Sequence, residues 1–351
     1  MILKKKFIEL AGVYSSKLLP MHIMLELTNK CNCKCIHCYI EKEQLFFLPV
    51  SKIKILFDSL KKMGCFKITF TGGEFFEHPD YFDIIRLTEE FGFIYTIFSN
   101  GFSVDESLLK YLNKSTLFRS FHLSIYGISD KTNDMITATP GSLKKLMSTI
   151  ELLKKYNLEF ILKTALMKPN FNEWEDVMNF CSKNRYTHAF EFMLFPSETG
   201  KTHPMKYALD KNELVKINSI FRDKYKKKLY LKVNRDREAF LNEKICVAGK
   251  NKLAVSYRGD VFPCLLLRKP AGNIFNDKIE DIWYNSNWLK ELRNVRNRDI
   301  QGCGSCDKIE YCKFKCPGIS QLFYGTIYRR PESRCLIADI NFEMAGCGFS
   351  L

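Results

Sequence analysis

The sequence contains no apolar run long enough to cross a membrane, which would need roughly 18 consecutive uncharged residues. Even the stretch 154–167 is interrupted by lysine and glutamate. The first ten residues also lack a secretory signal, because Glu9 breaks the apolar pattern and no small-residue cleavage site follows. Internal repeats and low-complexity linkers are absent as well. We therefore expect a soluble cytoplasmic protein with no membrane partner.

Acidic residues are in short supply, because 39 Asp and Glu stand against 54 Lys and Arg and give a formal net charge of +15. An excess of this size favours an anionic partner such as nucleic acid, a membrane surface or an acidic peptide. Cysteine, by contrast, is abundant, with 14 residues. In a reducing cytoplasm these thiols are available for metal. A cluster held by four thiolates carries about −2, so bound clusters would offset part of the charge excess.

Short β-rich segments alternate with amphipathic segments of helical length from residue 21 to about 195. The predicted strands are 22–28, 66–71, 93–99, 121–126, 159–167 and 189–195. The predicted helices between them are 49–63, 80–91, 105–112, 142–156 and 172–183. Six parallel strands with crossover helices predict an α/β fold that forms an open or partial (β/α)6 barrel. Ligands on such sheets bind at the carboxyl ends of the strands, so we expect the functional site there.

The later part of the chain has a different character. A charged helix is predicted from 210 to about 228, and seven of the 14 cysteines then lie between Cys246 and Cys335. So short a segment with so weak an apolar pattern is expected to depend on metal ligation for its stability. The expected regions are an N-terminal extension, a barrel, a bridging helical region, a small cysteine-rich domain and a tail, at 1–20, 21–205, 206–240, 241–340 and 341–351.

Three cysteines follow the first predicted strand at CxxxCxxC spacing, namely Cys31, Cys35 and Cys38. Three thiolates can hold three irons of a 4Fe-4S cluster and leave the fourth iron open for reaction. A structural zinc site is the alternative, but such a site usually takes four ligands. Cys33 lies in the same loop and would be the source of a fourth thiolate. The position at the end of a barrel strand favours a catalytic site.

The cysteine triplet, together with Thr71-Gly72-Gly73-Glu74 after the second strand, resembles the radical S-adenosylmethionine (SAM) enzymes. The resemblance covers residues 21 to about 200, and its elements occur in the family's order on successive strand ends. It implies that the amino and carboxylate groups of SAM bind the open iron of the cluster. Gly72 and Gly73 would let the backbone approach the methionyl group, and Glu74 would accept from its ammonium or hold the ribose surroundings.

The resemblance implies further SAM contacts along the same edge of the barrel. Ser99-Asn100-Gly101 is similar to the family's ribose-contacting motif, and a polar motif with Ser124 follows the fourth strand. His37 occupies a position that is usually aromatic and touches adenine, while Lys163 would pair with the SAM carboxylate or face solvent. The SAM-contacting residues implied in total are His37, Tyr39, Gly72, Gly73, Glu74, Ser99, Asn100, Ser124 and Lys163.

The seven later cysteines resemble the SPASM extension of radical SAM enzymes. This resemblance implies two auxiliary 4Fe-4S clusters in addition to the radical SAM cluster, three in all. The implied ligands are Cys246, Cys264 and Cys316 for auxiliary cluster I, and Cys303, Cys306, Cys312 and Cys335 for auxiliary cluster II. Auxiliary cluster I has no evident fourth cysteine, so its fourth position is open or takes another ligand. A zinc ribbon is the structural alternative for 303–316.

The resemblance implies reductive cleavage of SAM to methionine and a 5′-deoxyadenosyl radical, which removes a hydrogen atom from a substrate carbon. A flavodoxin or ferredoxin would supply the electron, and a basic surface suits such a partner. SPASM members mostly modify peptides and proteins. We therefore expect a ribosomally made peptide as substrate and a thioether or carbon-carbon crosslink, or a related oxidative change, as product. Leu265 replaces the acidic residue of the sulfatase-maturing pattern, which argues against that activity.

Three alternatives stay open at this point. A peptide epimerase would need a thiol hydrogen donor, for which Cys181 and Cys347 are the candidates. A small-molecule dehydrogenase is kept in play because only about 20 residues precede the first strand, so a peptide leader would have to bind elsewhere or on a separate protein. An iron-sulfur or zinc RNA-binding protein would account for the charge of +15, but not for Gly72-Gly73-Glu74 beside the cysteine triplet.

Overall fold

The computed structural model describes residues 2–223, 236–312 and 316–346. Its strands are β1 (His22–Glu26), β2 (Lys67–Thr71), β3 (Ile94–Ser99), β4 (Phe118–Ser124), β5 (Phe160–Ala165), β6 (Thr187–Glu191), β7 (Lys252–Val255), β8 (Asp260–Phe262) and β9 (Gly272–Asn273). They form one nine-stranded sheet in the order β6-β5-β4-β3-β2-β1-β7-β8-β9. Neighbours from β6 to β7 are parallel, and β8 is antiparallel to both β7 and β9.

The described helices connect these strands or follow them. In the barrel region they are α1 (Ile2–Ser16), α2 (Val50–Lys62), α3 (Tyr81–Glu90), α4 (Glu106–Leu112), α5 (Asp130–Thr137), α6 (Ser142–Lys155) and α7 (Trp174–Lys183). Later in the chain they are α8 (Lys211–Asp223), α9 (Arg237–Asn242), α10 (Ile279–Asn285), α11 (Asn287–Asn294), α12 (Pro317–Tyr324) and α13 (Glu332–Gly346). None of the described helices has the length and apolar character needed to cross a membrane.

The two faces of the sheet have opposite chemistry, because side chains along a strand point alternately to either side. One face carries buried apolar residues that pack against the crossover helices, among them Ile23, Leu25, Phe70, Tyr95 and Phe121. Each such side chain stabilises the fold by about 1.5–3 kcal/mol when it is fully buried. The opposite face lines the interior of the open barrel and includes polar residues, with His22, Thr69, Thr96 and His122 among them.

The six predicted barrel strands and the partial (β/α)6 arrangement are confirmed, with shifted boundaries at two strands. β4 starts at Phe118 rather than at 121, and β6 is Thr187–Glu191 rather than 189–195. The apolar residues after β6 misled the prediction. Phe192 packs, together with Phe190, against a separate cluster around Trp174 instead of continuing the strand. The sequence analysis also missed α1 and α5.

The sheet does not stop where the barrel was predicted to end. β7, from the predicted cysteine-rich region, pairs in parallel with β1 from His22↔Lys252 to Leu25↔Val255. The first barrel strand is therefore an interior strand with partners on both sides. The helix predicted from 210 to 228 is observed as α8, and the remainder of that prediction lies outside the described residues. Cys347 also lies outside them.

Candidate active site

The three spaced cysteines lie on the long connection between β1 and α2. This loop is fixed by hydrogen bonds to its neighbours. The backbone N–H groups of Lys34 and Ile36 donate to carbonyl oxygens at the end of α5, at 3.1 and 2.9 Å. Cys31, Cys35 and Cys38 stay partly exposed, whereas Cys33 is 1% exposed. The loop therefore leaves the thiols of the predicted triplet partly exposed, while the buried Cys33 thiol lies against those of Cys31 and Cys35.

The loop after β2 packs tightly against the segment that leads into Cys31. The backbone N–H of Gly73 donates to the carbonyl oxygen of Thr28 at 2.7 Å, and that of Glu74 donates to Lys30 at 2.8 Å. Gly72 has a φ of +119°, and a Cβ atom there would approach the Thr28 oxygen to 2.5 Å. A Cβ atom on Gly73 would overlap the carbonyl group of Lys30. The two glycines are therefore required for contact between the β1 and β2 loops.

The Glu74 carboxylate joins the end of β2 to the end of β3. It accepts from the hydroxyl of Ser99 and from the backbone N–H of Asn100, both at 2.7 Å, and from the N–H of Phe76 at 3.3 Å. The side chain is completely enclosed, and burial raises its pKa to about 7 despite these donors. Glu74 thereby fixes the Ser99-Asn100 turn at the carboxyl edge of the sheet.

Asn100 extends this connection to the cysteine loop. Its side-chain amide lies 2.6 Å from Oδ1 of Asn32, 3.2 Å from Sγ of Cys33 and 3.8 Å from Sγ of Cys31. Its own Oδ1 accepts from the backbone N–H of Phe102 at 2.9 Å. Three sequence motifs from three successive strand ends are therefore linked by one continuous set of contacts.

His37 and Tyr39 flank the last cysteine of the triplet and have different surroundings. The His37 ring meets the Tyr126 ring edge-on at a centroid distance of 5.1 Å. Burial lowers the pKa of His37 to about 4, and its Nδ1 atom is buried without a hydrogen-bond partner. His37 is therefore neutral at physiological pH. The Tyr39 hydroxyl instead donates to Glu26 at 3.0 Å, below the loop.

Ser124 and Lys163 lie side by side at the carboxyl ends of β4 and β5, because the sheet register pairs them directly. Lys163 Nζ sits over the Phe98 ring, 4.4 Å from its centroid. The loop after Ser124 is held by Glu173, whose carboxylate accepts from the Ser129 hydroxyl at 2.7 Å and from the Ile128 N–H at 3.0 Å. Glu173 immediately precedes α7, and its side chain holds this loop rather than the start of the helix.

A buried ion pair that the sequence analysis missed lies beneath the cysteine loop. Arg268 makes two hydrogen bonds to Glu26, at 2.9 and 2.6 Å, and Glu198 is 3.7 Å from the same guanidinium. The Tyr257 hydroxyl donates in turn to Glu198 at 2.5 Å. The available signal was Glu26, which stands between Leu25 and Leu27 at the end of β1. A carboxylate in such apolar surroundings is expected to be buried, and a buried carboxylate needs a cationic partner.

The later cysteines lie near one another in two sets, and Cys316, which neighbours Cys264, also lines a cavity with Cys303, Cys312 and Cys335. Burial and the neighbouring thiols of Cys246 and Cys316 raise the pKa of Cys264 to about 11. Burial and the thiols of the other set raise the pKa of Cys303 to about 11 in the same way. The described members of that set are Cys303, Cys306, Cys312 and Cys335.

The second set lines a cavity of about 360 Å³, and all four of its cysteines form part of the cavity wall. The loop that carries Cys306 is held by Arg237, which donates to the carbonyl oxygens of Gly304 and Cys306. In the described part of the chain, no three Cys, His, Asp or Glu side chains converge on a single metal ion. The four thiols instead share the wall of one cavity.

Two family models match this chain. The radical SAM superfamily model matches residues 25–181, and the SPASM model, an iron-sulfur cluster-binding domain, matches residues 246–307. The chain therefore contains a radical SAM domain and a SPASM domain, as the sequence motifs predicted.

Similar proteins include two curated relatives and one enzyme of known structure. The chain is 25% identical to the AdoMet-dependent heme synthase of Methanosarcina barkeri, over 84% of this chain and 90% of that protein. It is 27% identical to the subtilosin biosynthesis protein AlbA of Bacillus subtilis, over 85% of this chain and 65% of AlbA. The structure of Streptococcus suis SuiB bound to its precursor peptide SuiA matches with a TM-score of 0.70 at 17% identity, over 94% of this chain and 80% of SuiB. The likeness to SuiB shows a shared fold.

Proposed function

We propose that this protein is a radical SAM maturase that acts on a ribosomally made peptide. The observation that carries the proposal is the linkage of the cysteine loop to Glu74 through Asn100 at the carboxyl edge of the barrel. This arrangement brings three partly exposed thiols next to loops of glycine, hydroxyl and amide groups that suit a nucleoside and an amino acid. SuiB, which shares the fold, has also been solved with SAM bound.

Cys31, Cys35 and Cys38 would hold the radical SAM 4Fe-4S cluster. With SAM bound, that cluster would supply a 5′-deoxyadenosyl radical that removes a hydrogen atom from the substrate. The SAM molecule would lie along the edge formed by the loops after β1 to β5. The residues assigned to it are His37, Tyr39, Gly72, Gly73, Glu74, Ser99, Asn100, Ser124 and Lys163.

At this edge the protein's own side chains position the groups that would contact SAM, and they include an uncharged histidine ring. Glu74 fixes the turn with Ser99 and Asn100, so the polar groups assigned to the ribose are held before SAM arrives. His37 offers a neutral ring for the adenine side, because burial lowers its pKa to about 4. Its buried Nδ1 without a partner is a polar atom that a bound nucleobase would satisfy.

The later cysteines would hold two auxiliary clusters. Cys246, Cys264 and Cys316 are assigned to auxiliary cluster I, and Cys303, Cys306, Cys312 and Cys335 to auxiliary cluster II. A cluster near the substrate would accept the electron left after an oxidative bond is made. A flavodoxin or ferredoxin would deliver the electron that starts SAM cleavage, and a separate protein would bind the peptide leader.

The product is proposed to be a thioether or carbon-carbon crosslink or a related oxidative change. The epimerase alternative is weakened by the placement of Cys181, which is 2% exposed within the apolar core between the sheet and its helices. A thiol there cannot reach a substrate in the barrel interior. The match to heme synthases over most of both chains supports a second candidate, oxidation of a small molecule.

The test is the yield of 5′-deoxyadenosine from anaerobically reconstituted protein given SAM and dithionite. The matched control is the Cys31→Ala, Cys35→Ala, Cys38→Ala variant, which retains both later cysteine sets. We expect product from the wild type alone. Peptides encoded beside the gene are then added, and mass spectrometry is used to detect a loss of hydrogen.

Each alternative predicts a different result in the same assay. If a porphyrin-like or other small molecule increased SAM cleavage and peptides had no effect, the result would favour the small-molecule dehydrogenase. No cleavage by protein that is fully loaded with iron, together with salt-dependent binding of tRNA, would replace the enzyme proposal by the RNA-binding one.

A further inference from the structure

The interior face of the barrel encloses a cavity of about 490 Å³ on the amino-terminal side of the predicted SAM site. Its polar lining includes His22, Lys67, Thr69, Thr96, Arg119 and His122. None of the described residues that line it is an aspartate or a glutamate. Apolar side chains, among them Met24, Phe66 and Phe98, complete the wall, so the cavity is largely apolar with a few cationic groups and no carboxylate of its own.

Two lysines add positive charge to this interior at different levels along the strands. Lys67 lines the cavity near its amino-terminal end, and Lys163 lies over the Phe98 ring at its upper end. The Phe98 ring also stacks on His122, at a centroid distance of 4.7 Å and an angle of 17°. Among the described residues, Lys67 forms no ion pair with a carboxylate, whereas the charge of Glu191 opposes the lowering of the Lys163 pKa by burial.

Two histidines of the cavity are held neutral, chiefly by burial and in addition by the neighbouring lysines. Burial and the charges of Lys67 and Lys252 lower the pKa of His22 to about 3. Burial and the charges of Lys163 and Lys67 lower the pKa of His122 to about 4. Burial also lowers the pKa of Lys67 itself.

Half-buried cations without partners destabilise a fold, because they lose hydration and repel one another. A bound anion would remove that cost. Nδ1 of His122 is also buried without a hydrogen-bond partner, although it can donate or accept according to its tautomer. The side chains in this cavity are thus arranged for a negatively charged ligand with several acceptor atoms.

The strand register gives the depth of the positively charged interior. Lys67 pairs with Ile94 at the start of β3. Lys163 pairs with Ser124, which follows Leu123, the partner of Ser99 at the end of β3. The two lysines are therefore about six residues apart along the strands, or on the order of 20 Å at about 3.3 Å per residue. Such a length exceeds one side chain and suits a segment of extended peptide.

We propose that the barrel interior is an anion site that binds a carboxylate of the substrate away from the reacting carbon. The inference rests on the proposed peptide substrate and adds a sequence requirement to it. An extended chain covers about 3.3–3.6 Å per residue. The substrate should therefore carry an aspartate or glutamate within about six residues of the modified position.

The site is tested by calorimetric binding of glutarate and of its neutral diamide, glutaramide, to the reconstituted full-length protein at fixed ionic strength. Glutarate is expected to bind and glutaramide is not. Lys67→Gln should weaken glutarate binding by about tenfold, the usual effect of losing one charge-assisted hydrogen bond. Lys54→Gln is the matched control, since Lys54 is exposed on α2, and it should leave the affinity unchanged.

A second arm separates the substrate carboxylate from that of SAM, to which Lys163 was assigned. Glutarate affinity that is unchanged in saturating SAM supports a distinct site. Loss of glutarate binding in saturating SAM would assign these cations to SAM and overturn the proposal. Equal binding of glutaramide, no detectable glutarate binding, or equal effects of Lys67→Gln and Lys54→Gln would also overturn it.

The Lys67→Met variant provides a readout that does not depend on ligand binding. Because Lys67 has no carboxylate partner, this variant should melt at a higher temperature than the wild type when no anion is added. A lower melting temperature would show that Lys67 has a structural role and would contradict the proposal. None of these measurements requires SAM cleavage, so their failure is distinguishable from failure of the proposed enzyme function.

Discussion

Arg268 and Glu26 form a two-point ion pair inside the protein, with side chains that are 6% and 0% exposed. Glu26 ends the first barrel strand, and Arg268 follows Cys264 in the SPASM region. The Tyr39 hydroxyl donates to the same glutamate, one residue after the last cysteine of the triplet. One ion pair therefore ties the radical SAM loop to the segment that carries an auxiliary-cluster cysteine.

Replacement of Arg268 by Met should destabilise the protein strongly. The Glu26 carboxylate would remain buried without a counter-ion, and loss of one partner of such a pair typically costs about 3–5 kcal/mol. The measurement is the free energy of unfolding from anaerobic urea denaturation. The double variant Glu26→Gln, Arg268→Met should recover part of the loss, since no uncompensated charge remains. A double variant as unstable as the sum of both singles would show that the pair does not act as a unit.

SAM binding should weaken as the pH falls below 7. The pKa of Glu74 lies at about 7 in the protein, against an ordinary value of 4.5, because the carboxyl is buried. If ionised Glu74 is the form that binds SAM, affinity falls as protons are taken up, by about tenfold between pH 8 and pH 6. Equilibrium dialysis with labelled SAM measures this directly.

Glu74→Gln is the control for that pH profile. Glutamine cannot titrate, and it replaces by an NH2 donor one of the two oxygens that accept separately from Ser99 and Asn100. The variant should therefore bind SAM more weakly at pH 8 and with little change between pH 6 and pH 8. A profile that keeps the wild-type slope would assign the titration to another group.

Cys33 should be dispensable for SAM cleavage. Its side chain is buried next to the Asn100 amide, whereas the other three thiols of the loop are partly exposed. We expect Cys33→Ser to retain its iron and to form 5′-deoxyadenosine at a rate within about threefold of the wild type, since three thiolates can hold the cluster and serine keeps a hydroxyl beside the Cys31 and Cys35 thiols that Cys33 contacts. Cys35→Ala is the paired variant and should abolish cleavage. Loss of iron in Cys33→Ser would make Cys33 a ligand.

Gly73→Ala should disturb the cysteine loop without touching a thiol. The added methyl group would overlap the carbonyl of Lys30, so the segment before Cys31 would have to move. Overpacking of this kind typically costs about 1–3 kcal/mol, and a shift at Cys31 should reduce SAM cleavage by at least tenfold. The control is Gly12→Ala in α1, where an added methyl group meets no atom within 4 Å. A Gly73→Ala variant with wild-type activity would contradict the close packing.

Removal of one later cysteine should remove one cluster. Cys335→Ala is expected to lose about a third of the protein's iron if three similar clusters are present, and to retain uncoupled SAM cleavage by the barrel. Cys181→Ala, whose thiol lies in the apolar core, should retain all of the iron. Iron content and the electron paramagnetic resonance spectrum of the reduced protein measure the change. Unchanged iron in Cys335→Ala would remove Cys335 from the ligand set.

The order of the motifs could be predicted because each one sits at a strand end that local patterns reveal. Alternation of apolar residues located β1 to β3, and the spacing of the cysteines indicated three ligands in one loop. The polar contact between Glu74 and Asn100 was not predictable. It depends on the twist and register of β2 and β3, which place residues 26 positions apart within 2.7 Å.

The Arg268–Glu26 pair was missed for a related reason. Its two residues are 242 positions apart, and neither belongs to a motif. Only the pairing of β7 with β1 brings the SPASM region beneath the cysteine loop. α5 was missed because its apolar pattern is weak. Its start is fixed by the Ser129 side chain, which accepts from the Thr132 N–H.

The parallel pairing of β1 with β7 has a practical consequence for attempts to divide this protein. A chain cut before residue 241 would leave the β7-facing edge of β1, from His22 to Leu25, without its hydrogen-bonding partner, while the opposite edge would stay paired with β2. Exposed apolar strand edges recruit strands from other molecules. The shortened barrel should therefore precipitate or form intermolecular sheets, and both regions should be expressed, reconstituted and crystallised as one polypeptide.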